Sequence, residues 1–496
     1  MTSKVNINRL ATGVPGLDAI LGGGLPEFSF NLIAGAPGCG KTTLAHQLMF
    51  AMATPDRPAL YLTVLGEPPL KMLRYQQQFN YFDDSAVDAA IRFVNLADVT
   101  LTGDLDQVLA RIVEEVERTS PAFVFVDSFR SVVMSGRTGD GEHNKLQQFV
   151  QHLGVMMTSW QATTFLIGEY FSEVDANPVF TVADGLIWMR QSVQRNSMVR
   201  KIQILKMRGQ ATLPGLHSFR INTSGIEIFA PAHEPTSTQT RASEVLSQSR
   251  INMGVAGLDE MLGGGLPCGY SILVAGPSGS GKSILAANFL AEGVRNGEAG
   301  VIVAFEQQPH RGRNRLLVDC IDTGKIGVVE ASAPDLSIDE IVILLLRETR
   351  RLSARRVVID SLSSFELSLA PTFREDFRES MLRLVTTLSN AGVTVLMTSE
   401  LEDRYTDLRF SPYGTAFLTD AIIVQRYIEV ESRLLRLLAV VKVRGSAHSN
   451  QLREFHIDDA GIHVDGMLLN KEGLLGGRPT QKASVPDALA IQDKHG

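Results

Sequence analysis

Two stretches of this chain share one pattern of glycines and a lysine, "GAPGCGKTT" from Gly35 to Thr43 and "GPSGSGKS" from Gly276 to Ser283. Both match Gly-x-x-x-x-Gly-Lys-Ser/Thr, in which glycines let successive backbone N–H groups turn inward around phosphate oxygens. Such a loop belongs between a buried strand and the N-terminus of a helix, whose field favours an anion. The flanking sequence supplies both. "FNLIAG" and "YSILVAG" are short apolar runs bounded by glycine, and "TTLAHQLMFAMA" and "SILAANFLAEGV" follow as helices.

The repetition extends well beyond the loops. "TGVPGLDAILGGGLP" begins at Thr12 and "MGVAGLDEMLGGGLP" at Met253, an offset of 241 residues that the two loops share. "FVFVDS" (Phe123–Ser128) and "RVVIDS" (Arg356–Ser361) are offset by 233, and "LKMRG" (Leu205–Gly209) and "VKVRG" (Val441–Gly445) by 236. Landmarks in one order with nearly constant offsets mean a tandem duplication. The polar, proline-containing stretch from Phe229 to Ser249 reads as the connection between halves. The expected organisation is a first domain over 1–230, a linker over 231–249, a second domain over 250–470 and a loose, polar tail over 471–496.

Within each half, continuous apolar strands alternate with helices. "ALYLTV", "AFVFVD" and "TTFLIG" in the first half answer to "GVIVAF", "RRVVID" and "VTVLMTS" in the second. Strands without a polar face are buried on both sides, so each half is expected to be α/β, a mostly parallel sheet flanked by helices. Ligands of such a sheet bind beyond the carboxyl ends of its strands, where the polar landmarks fall.

Those landmarks define a nucleotide site. The loop residues Gly35, Gly38, Cys39, Gly40, Lys41, Thr42 and Thr43, and Gly276, Gly279, Ser280, Gly281, Lys282 and Ser283, are expected to cradle ATP. Lys41 and Lys282 are placed to reach the β- and γ-phosphates, and the Thr42 and Ser283 hydroxyls to hold Mg²⁺. Asp127 and Asp360 end apolar strands at the position of a second metal partner. Hydrolysis further needs a carboxylate that orients the attacking water. Glu67 ("LGEPP") and Glu306 ("FEQQP") follow the second strand and are the first choices; Glu169 and Glu400, at the end of a later strand, are the second. Cys39 sits where a helix N-terminus can lower a thiol's pKa, which raises redox gating of the first loop as an idea.

Bulk properties exclude other classes. A formal net charge of −7 over 496 residues argues against extended nucleic-acid contact. Three cysteines make no disulfide framework, Met1 to Leu10 lacks a secretory pattern, and runs such as "IVILLL" fall far short of the ~20 residues of a membrane span. The expectation is a reduced, cytoplasmic protein.

Together these residues resemble the KaiC family within the RecA-like ATPases, over Asn8–Phe229 and Arg250–Asp465. The "GLDxxLGGGLP" lead-in is shared with RecA and RadA recombinases; the narrower signal is the duplication with "KMRG" and "KVRG" near the end of each half. The resemblance implies two tandem RecA-like domains in a hexameric ring. It also implies that Lys206, Arg208, Lys442 and Arg444 act in trans on a neighbouring subunit's γ-phosphate. Departures accompany it. KaiC carries adjacent acids where this chain has Gly66-Glu67 and Glu306-Gln307, and Phe28 stands where the second half has Gly269. The Ser-Thr pair that clock-type KaiC phosphorylates falls on Ala416 and Phe417, flanked by Ser411, Thr415 and Thr419.

The leading expectation is therefore a ring ATPase that switches conformation in signalling or circadian-type timing, with regulatory protein partners possible. One alternative is a serine/threonine autokinase that uses a flanking hydroxyl. Another is a RecA/RadA-like DNA-dependent ATPase, against which Arg130, Arg137 and Lys145 are scattered among acids rather than clustered. The uneven acids raise a further option, that one tier hydrolyses while the other binds ATP to hold the ring.

Overall fold

The structure is a computed structural model. It describes residues 7–63, 69–100, 104–129, 142–171, 178–194, 197–230, 249–305, 315–331, 337–369, 377–401, 418–458, 461–467, 471–472 and 480–481. The chain separates into two compact units, Met1–Pro231 and Ala232–Gly496.

In the first unit the phosphate-loop strand β1 (Phe30–Gly35) leads into α1 (Lys41–Met52). The strands β2 (Ala59–Thr63), β3 (Ile91–Asn95), β4 (Phe123–Asp127) and β5 (Thr163–Glu169) follow, with α2 (Leu105–Thr119) and α3 (Glu142–Ser159) between them. A short helix α4 (Pro178–Val182) then precedes the meander β6 (Gly185–Gln194), β7 (Ser197–Met207), β8 (His217–Asn222) and β9 (Gly225–Phe229). They make one nine-stranded sheet in the order β9-β8-β7-β6-β1-β5-β4-β2-β3. Every pairing from β3 across to β6 is parallel. The last three strands add on antiparallel.

The second unit repeats this plan. Its strands are β10 (Ser271–Gly276), β11 (Gly300–Ala304), β12 (Ile326–Glu330), β13 (Arg356–Asp360), β14 (Thr394–Glu400), β15 (Ala421–Val430), β16 (Arg433–Val443), β17 (Leu452–Asp458) and β18 (Gly461–Met467). The order is β12-β11-β13-β14-β10-β15-β16-β17-β18. The helices α5 (Lys282–Arg295), α6 (Ile338–Leu352) and α7 (Phe377–Asn390) stand where α1, α2 and α3 stand in the first unit.

Alternation of side chains along each strand explains the unbroken apolar runs, because both faces are covered. Ile33, Tyr61, Phe125 and Phe165 pack with Leu44 and Leu48 of α1. Their neighbours Leu32, Leu60, Leu62 and Val124 pack on the opposite face with Ile112 and Val116 of α2 and Leu153 of α3. In the second unit Ile272, Ile302 and Val358 meet Phe289 of α5, while Leu273, Val301 and Val357 meet Ile341 of α6 and Leu384 of α7. Each such side chain, fully buried, contributes about 1.5–3 kcal/mol.

Two local devices shape the ends of these elements. Gly40 (φ 102°) and Gly281 (φ 106°) cap α1 and α5 in the left-handed region, where an L side chain is strained. A bulge interrupts the β6–β7 pairing: Leu186 faces Lys206 but Ile187 faces Ile204, leaving Leu205 over. The same slip recurs between Ile422 and Ile423, leaving Val441 over. An extra residue there turns the next side chain, Lys206 or Lys442, to the other face.

Candidate functional site

The two phosphate loops close around cavities at the carboxyl ends of the parallel strands. In the first unit a cavity of about 370 Å³ is lined by Gly38, Gly40, Lys41, Thr42, Thr43, Tyr61, Asp127, Glu169 and Ile221, among others. Thr42 Oγ1 donates to Asp127 Oδ2 at 2.8 Å, so the loop hydroxyl and the strand-end carboxylate meet. Tyr61 OH donates to the same oxygen, also at 2.8 Å. Burial pushes the Asp127 carboxyl above its usual range, and the donors Tyr61 and Thr42 with the Lys41 charge pull it back. Burial and the adjacent Asp127 carboxylate push the Tyr61 phenol well up, which keeps its proton on as a donor. Lys41 Nζ lies across the loop and donates to the Ala36 carbonyl at 2.8 Å.

The second cavity, of about 400 Å³, is lined by Gly279, Gly281, Lys282, Ser283, Phe305, Asp360, Ser361, Glu400 and others. Lys282 Nζ donates to the carbonyls of Gly276 (2.9 Å) and Pro277 (2.8 Å). Burial lowers its pKa, opposed by Glu400 and Asp360. Asp360 Oδ1 accepts from Thr398 Oγ1 on β14 at 2.5 Å. Beneath this loop the buried Ser280 hydroxyl donates to Gln425 Oε1 at 3.0 Å. Cys39 holds the equivalent place in the first loop and is fully buried. Burial raises its pKa against the pull of Lys41, so the thiol is the protonated, enclosed form, and the idea of redox gating finds no support in this geometry.

A hydroxyl beside a carboxylate, above a loop of inward amides and a lysine, is the donor set that a magnesium–triphosphate complex requires. Thr42 with Asp127 fits it directly, and Ser283 and Asp360 line one cavity. The bound metal would neutralise phosphate charge; the chain's contribution is to hold the oxygens that orient it.

The first-choice bases, Glu67 and Glu306, lie outside the described residues, as do Gly66, Gln307, Ser411, Thr415, Ala416, Phe417, Arg130 and Arg137. The second choices are visible. Glu169 stands opposite Gly35, and Glu400 opposite Gly276, in the parallel register of the central strands, and both line the cavities. Thr419, a flanking hydroxyl, is fully buried, which withholds it from phosphoryl transfer in this conformation.

The paired cations sit at the other end of the sheet. Lys206 is the penultimate residue of β7, and Arg208 lies just past the strand end. Lys206 Nζ donates to the carbonyls of Phe180 (3.3 Å), Thr181 (3.0 Å) and Ala183 (2.5 Å) at the end of α4, where a cation suits the unsatisfied carbonyls. Arg208 pairs with Asp184 Oδ1 at 3.0 Å, and Asp184 Oδ2 accepts the Phe30 amide at 3.0 Å. In the second unit Lys442 donates to the Thr419 carbonyl at 2.6 Å and Arg444 pairs with Asp420 at 3.3 Å, while Asp420 accepts the Ser271 amide at 3.0 Å. Burial lowers the pKa of both lysines, reinforced by the neighbouring arginine and opposed by the aspartate. Arg208 therefore lies beside the first residue of β1, about 17 Å along the strand from the Gly35 end at the usual rise per residue.

Reasoning from sequence missed Tyr61, Thr398, the Ser280–Gln425 pair and the bulges. Superposing the two halves residue by residue gives a signal for the first two: Tyr61 answers to Ile302, and Thr398 to Ile167.

Comparison with known proteins agrees with this architecture. The family model described as "ATPase: KaiC" matches twice, over residues 10–233 and 251–467. The "Circadian clock oscillator protein KaiC" of Picosynechococcus sp. (strain ATCC 27264 / PCC 7002 / PR-6) is 26% identical over 491 residues, 96% of this chain and 93% of its own length. The protein of the same name from Rippkaea orientalis (strain PCC 8801 / RF-1) is 26% identical over 96% of this chain and 92% of its own. "Circadian clock oscillator protein KaiC 1" of Synechocystis sp. (strain ATCC 27184 / PCC 6803 / Kazusa) is 26% identical over 96% and 93%. With two phosphate loops in two RecA-like sheets and the family model matched along both halves, the chain belongs to the KaiC family of ATPases.

Proposed function

We propose that this ATPase works as a homo-oligomeric ring, a hexamer by resemblance, in which Mg-ATP at each loop is completed by the Lys-x-Arg pair of a neighbouring copy. The observation that carries the reading is the distance between the two halves of each site. Arg208 and Arg444 are tied through Asp184 and Asp420 to the first residues of the central strands, whereas the loops begin at their last residues. A side chain cannot span that interval, so these cations have no access to the loop of their own unit. A head-to-tail contact that presents one copy's strand starts to the next copy's loops closes into a ring when its rotation is a whole fraction of a turn, one sixth for a hexamer. Arg208 also borders a cavity of about 770 Å³ that includes Phe30, Val155, Val182 and Asp184, a recess at the end that such a neighbour would cover.

In this reading Lys41 and Lys282 hold the phosphates, and Thr42 with Asp127 and Ser283 with Asp360 hold the metal. Glu67 and Glu306 orient water, with Glu169 and Glu400 the next choices. Hydrolysis changes what bridges two copies and so shifts the ring between conformations, the coupling that signalling or timing needs. The test is to size the full chain with and without Mg-ATP while following ADP release. Expected are a large assembly only with nucleotide and turnover that falls more than about tenfold in the Glu67→Gln/Glu306→Gln chain. A chain that stays solitary under saturating Mg-ATP yet turns it over at the full rate overturns the ring. Unaltered turnover in the double variant moves the assignment to Glu169 and Glu400.

A further inference from the structure

The two strand-end carboxylates are oriented differently, and the difference is reciprocal. Asp127 receives its hydroxyl from Tyr61 on β2, on one side of β4; on the other side, β5 offers Ile167. Asp360 receives its hydroxyl from Thr398 on β14, and β11, on the side that β2 occupies in the first unit, offers Ile302. The β2 residue level with Asp127 is Thr63, whose hydroxyl makes no hydrogen bond among the described residues, so the donor on that side is Tyr61; the second unit has Ala304 and Ile302 at these two places, and its donor comes from the opposite strand.

We propose that Tyr61 and Thr398 are positioning residues of the nucleotide sites, interchangeable donors that turn the Asp127 and Asp360 carboxylates toward the bound metal from opposite neighbouring strands. The inference rests on the reading of these aspartates as metal partners.

Side-chain length matches position in each case. Tyr61 pairs with Phe125, two residues short of Asp127, so its donor has to cover about 7 Å along the strand, which suits a phenol. Thr398 lies one residue past the Ile359–Met397 pair, level with Asp360, where a short hydroxyl suffices. In the first unit Thr42 and Tyr61 both donate to Oδ2. Among the described residues no donor reaches Oδ1, which would leave that oxygen to accept from the water shell of a bound metal. Loss of either hydroxyl lets the half-buried carboxylate rotate, which weakens the metal's hold without touching the loop amides that bind phosphate. The aromatic neighbours of Tyr61, namely His46, Phe93 and Phe125, remain packed when only its oxygen is removed.

The experiment uses the full chain carrying Lys282→Ala, so that the first loop is read alone, with a fluorescent ATP analogue titrated across a MgCl₂ series and in EDTA. Tyr61→Phe is expected to raise the Mg²⁺ concentration for half-maximal tight binding about tenfold, the scale of one hydrogen bond to a charged group, with affinity in EDTA unchanged. Adding Ile167→Thr, which installs the second unit's arrangement, is expected to return the Mg²⁺ requirement to within about twofold of the parent. The mirror pair, Thr398→Ile and Thr398→Ile/Ile302→Tyr in a Lys41→Ala chain, should behave likewise, and covers the case in which one variant misfolds. An unchanged Mg²⁺ requirement in Tyr61→Phe and in Thr398→Ile overturns the proposal. So does equal weakening with and without metal, or a folded double variant that fails to recover in both units. If the parent itself binds the analogue equally well in EDTA, the metal role of the aspartates falls first, and the positioning role falls with it.

Discussion

His46 lies in the second turn of α1, fully buried, with its ring stacked on Tyr61 at a centroid separation of 4.6 Å. Among the described residues neither ring nitrogen makes a hydrogen bond of good geometry, and burial, opposed only by the Thr42 backbone carbonyl one turn back, pushes its pKa from 6.5 down to about 3. The folded unit therefore holds a neutral imidazole across a range in which the unfolded chain takes up a proton. Below pH 6.5 the unfolded state binds more protons, so stability falls with decreasing pH by about 1.4 kcal/mol per unit until the folded pKa is approached. Above 6.5 both states are neutral and this group contributes no slope. The second unit has Ala287 at the matching position, so the effect belongs to the first unit. Denaturant unfolding of the full chain at pH 6.5 and 5.5 should show a loss of about 1 kcal/mol in the wild type, since the unfolded imidazole is already half protonated at the higher pH, and a smaller loss in His46→Leu. Equal slopes in both proteins would mean that the ring is hydrated and protonates in place. The same imidazole backs the phenol that orients Asp127, so core packing and site geometry meet at one residue.

At the level of elements, the hairpin β8–β9 is fastened to the phosphate-loop helix by one side chain. Gln47 Nε2 donates to the Ile226 carbonyl at 3.2 Å and its Oε1 accepts the Ile226 amide at 2.6 Å. The approach is close because Gly225 (φ 100°) has no Cβ; one built there would lie 2.5 Å from Gln47 Oε1. Gln47→Ala leaves two buried backbone groups unpaired, and the expected cost is about 2–4 kcal/mol. Amide exchange at Ile226 should accelerate at least about tenfold as the edge strand opens. Unchanged exchange would show that sheet pairing alone holds the hairpin, and with it Ile221 at the mouth of the cavity. How far such elements can be read from sequence depends on where their constraint lies. The parallel strands were legible because burial on both faces leaves an unbroken apolar run such as "FVFVD", closed by the one polar residue that must emerge at the sheet end. The loops were legible because inward amides demand glycine at fixed spacing. The hairpin clamp was not legible, since Gln47 reads as an ordinary polar helix residue until β9 is known to cross it. Nor were the bulges at Leu205 and Val441, since a slipped residue leaves no mark on composition. Lys206 and Arg208 both reach carbonyls at the end of α4, a shared target that the motif "KMRG" alone does not name.

For the whole molecule, duplication means that each chain carries two loops and two cation pairs, and the proposed ring has each loop completed by a neighbouring copy. Direct evidence for sharing between copies comes from mixing two inactive chains. One carries Lys41→Ala and Lys282→Ala, so its loops are disabled while Lys206, Arg208, Lys442 and Arg444 are intact. The other has those four cations replaced by alanine and intact loops. Each alone should fall to a small fraction of wild-type turnover. In a ring assembled at random from equal amounts, a productive boundary needs an intact loop from one kind of chain facing intact cations from the other, which occurs at about a quarter of positions. Turnover of the mixture should therefore recover to about a quarter of the wild-type value, and only after subunits exchange. A mixture that forms mixed assemblies, shown by mass under native conditions, yet stays inactive would place both halves of each site within a single chain. Repeating the mixture with only one tier's loops disabled then separates the units. Should Lys41→Ala abolish assembly while Lys282→Ala abolishes turnover, or the reverse, one tier binds ATP to hold the ring and the other hydrolyses it; identical losses would make the two tiers equal partners in both.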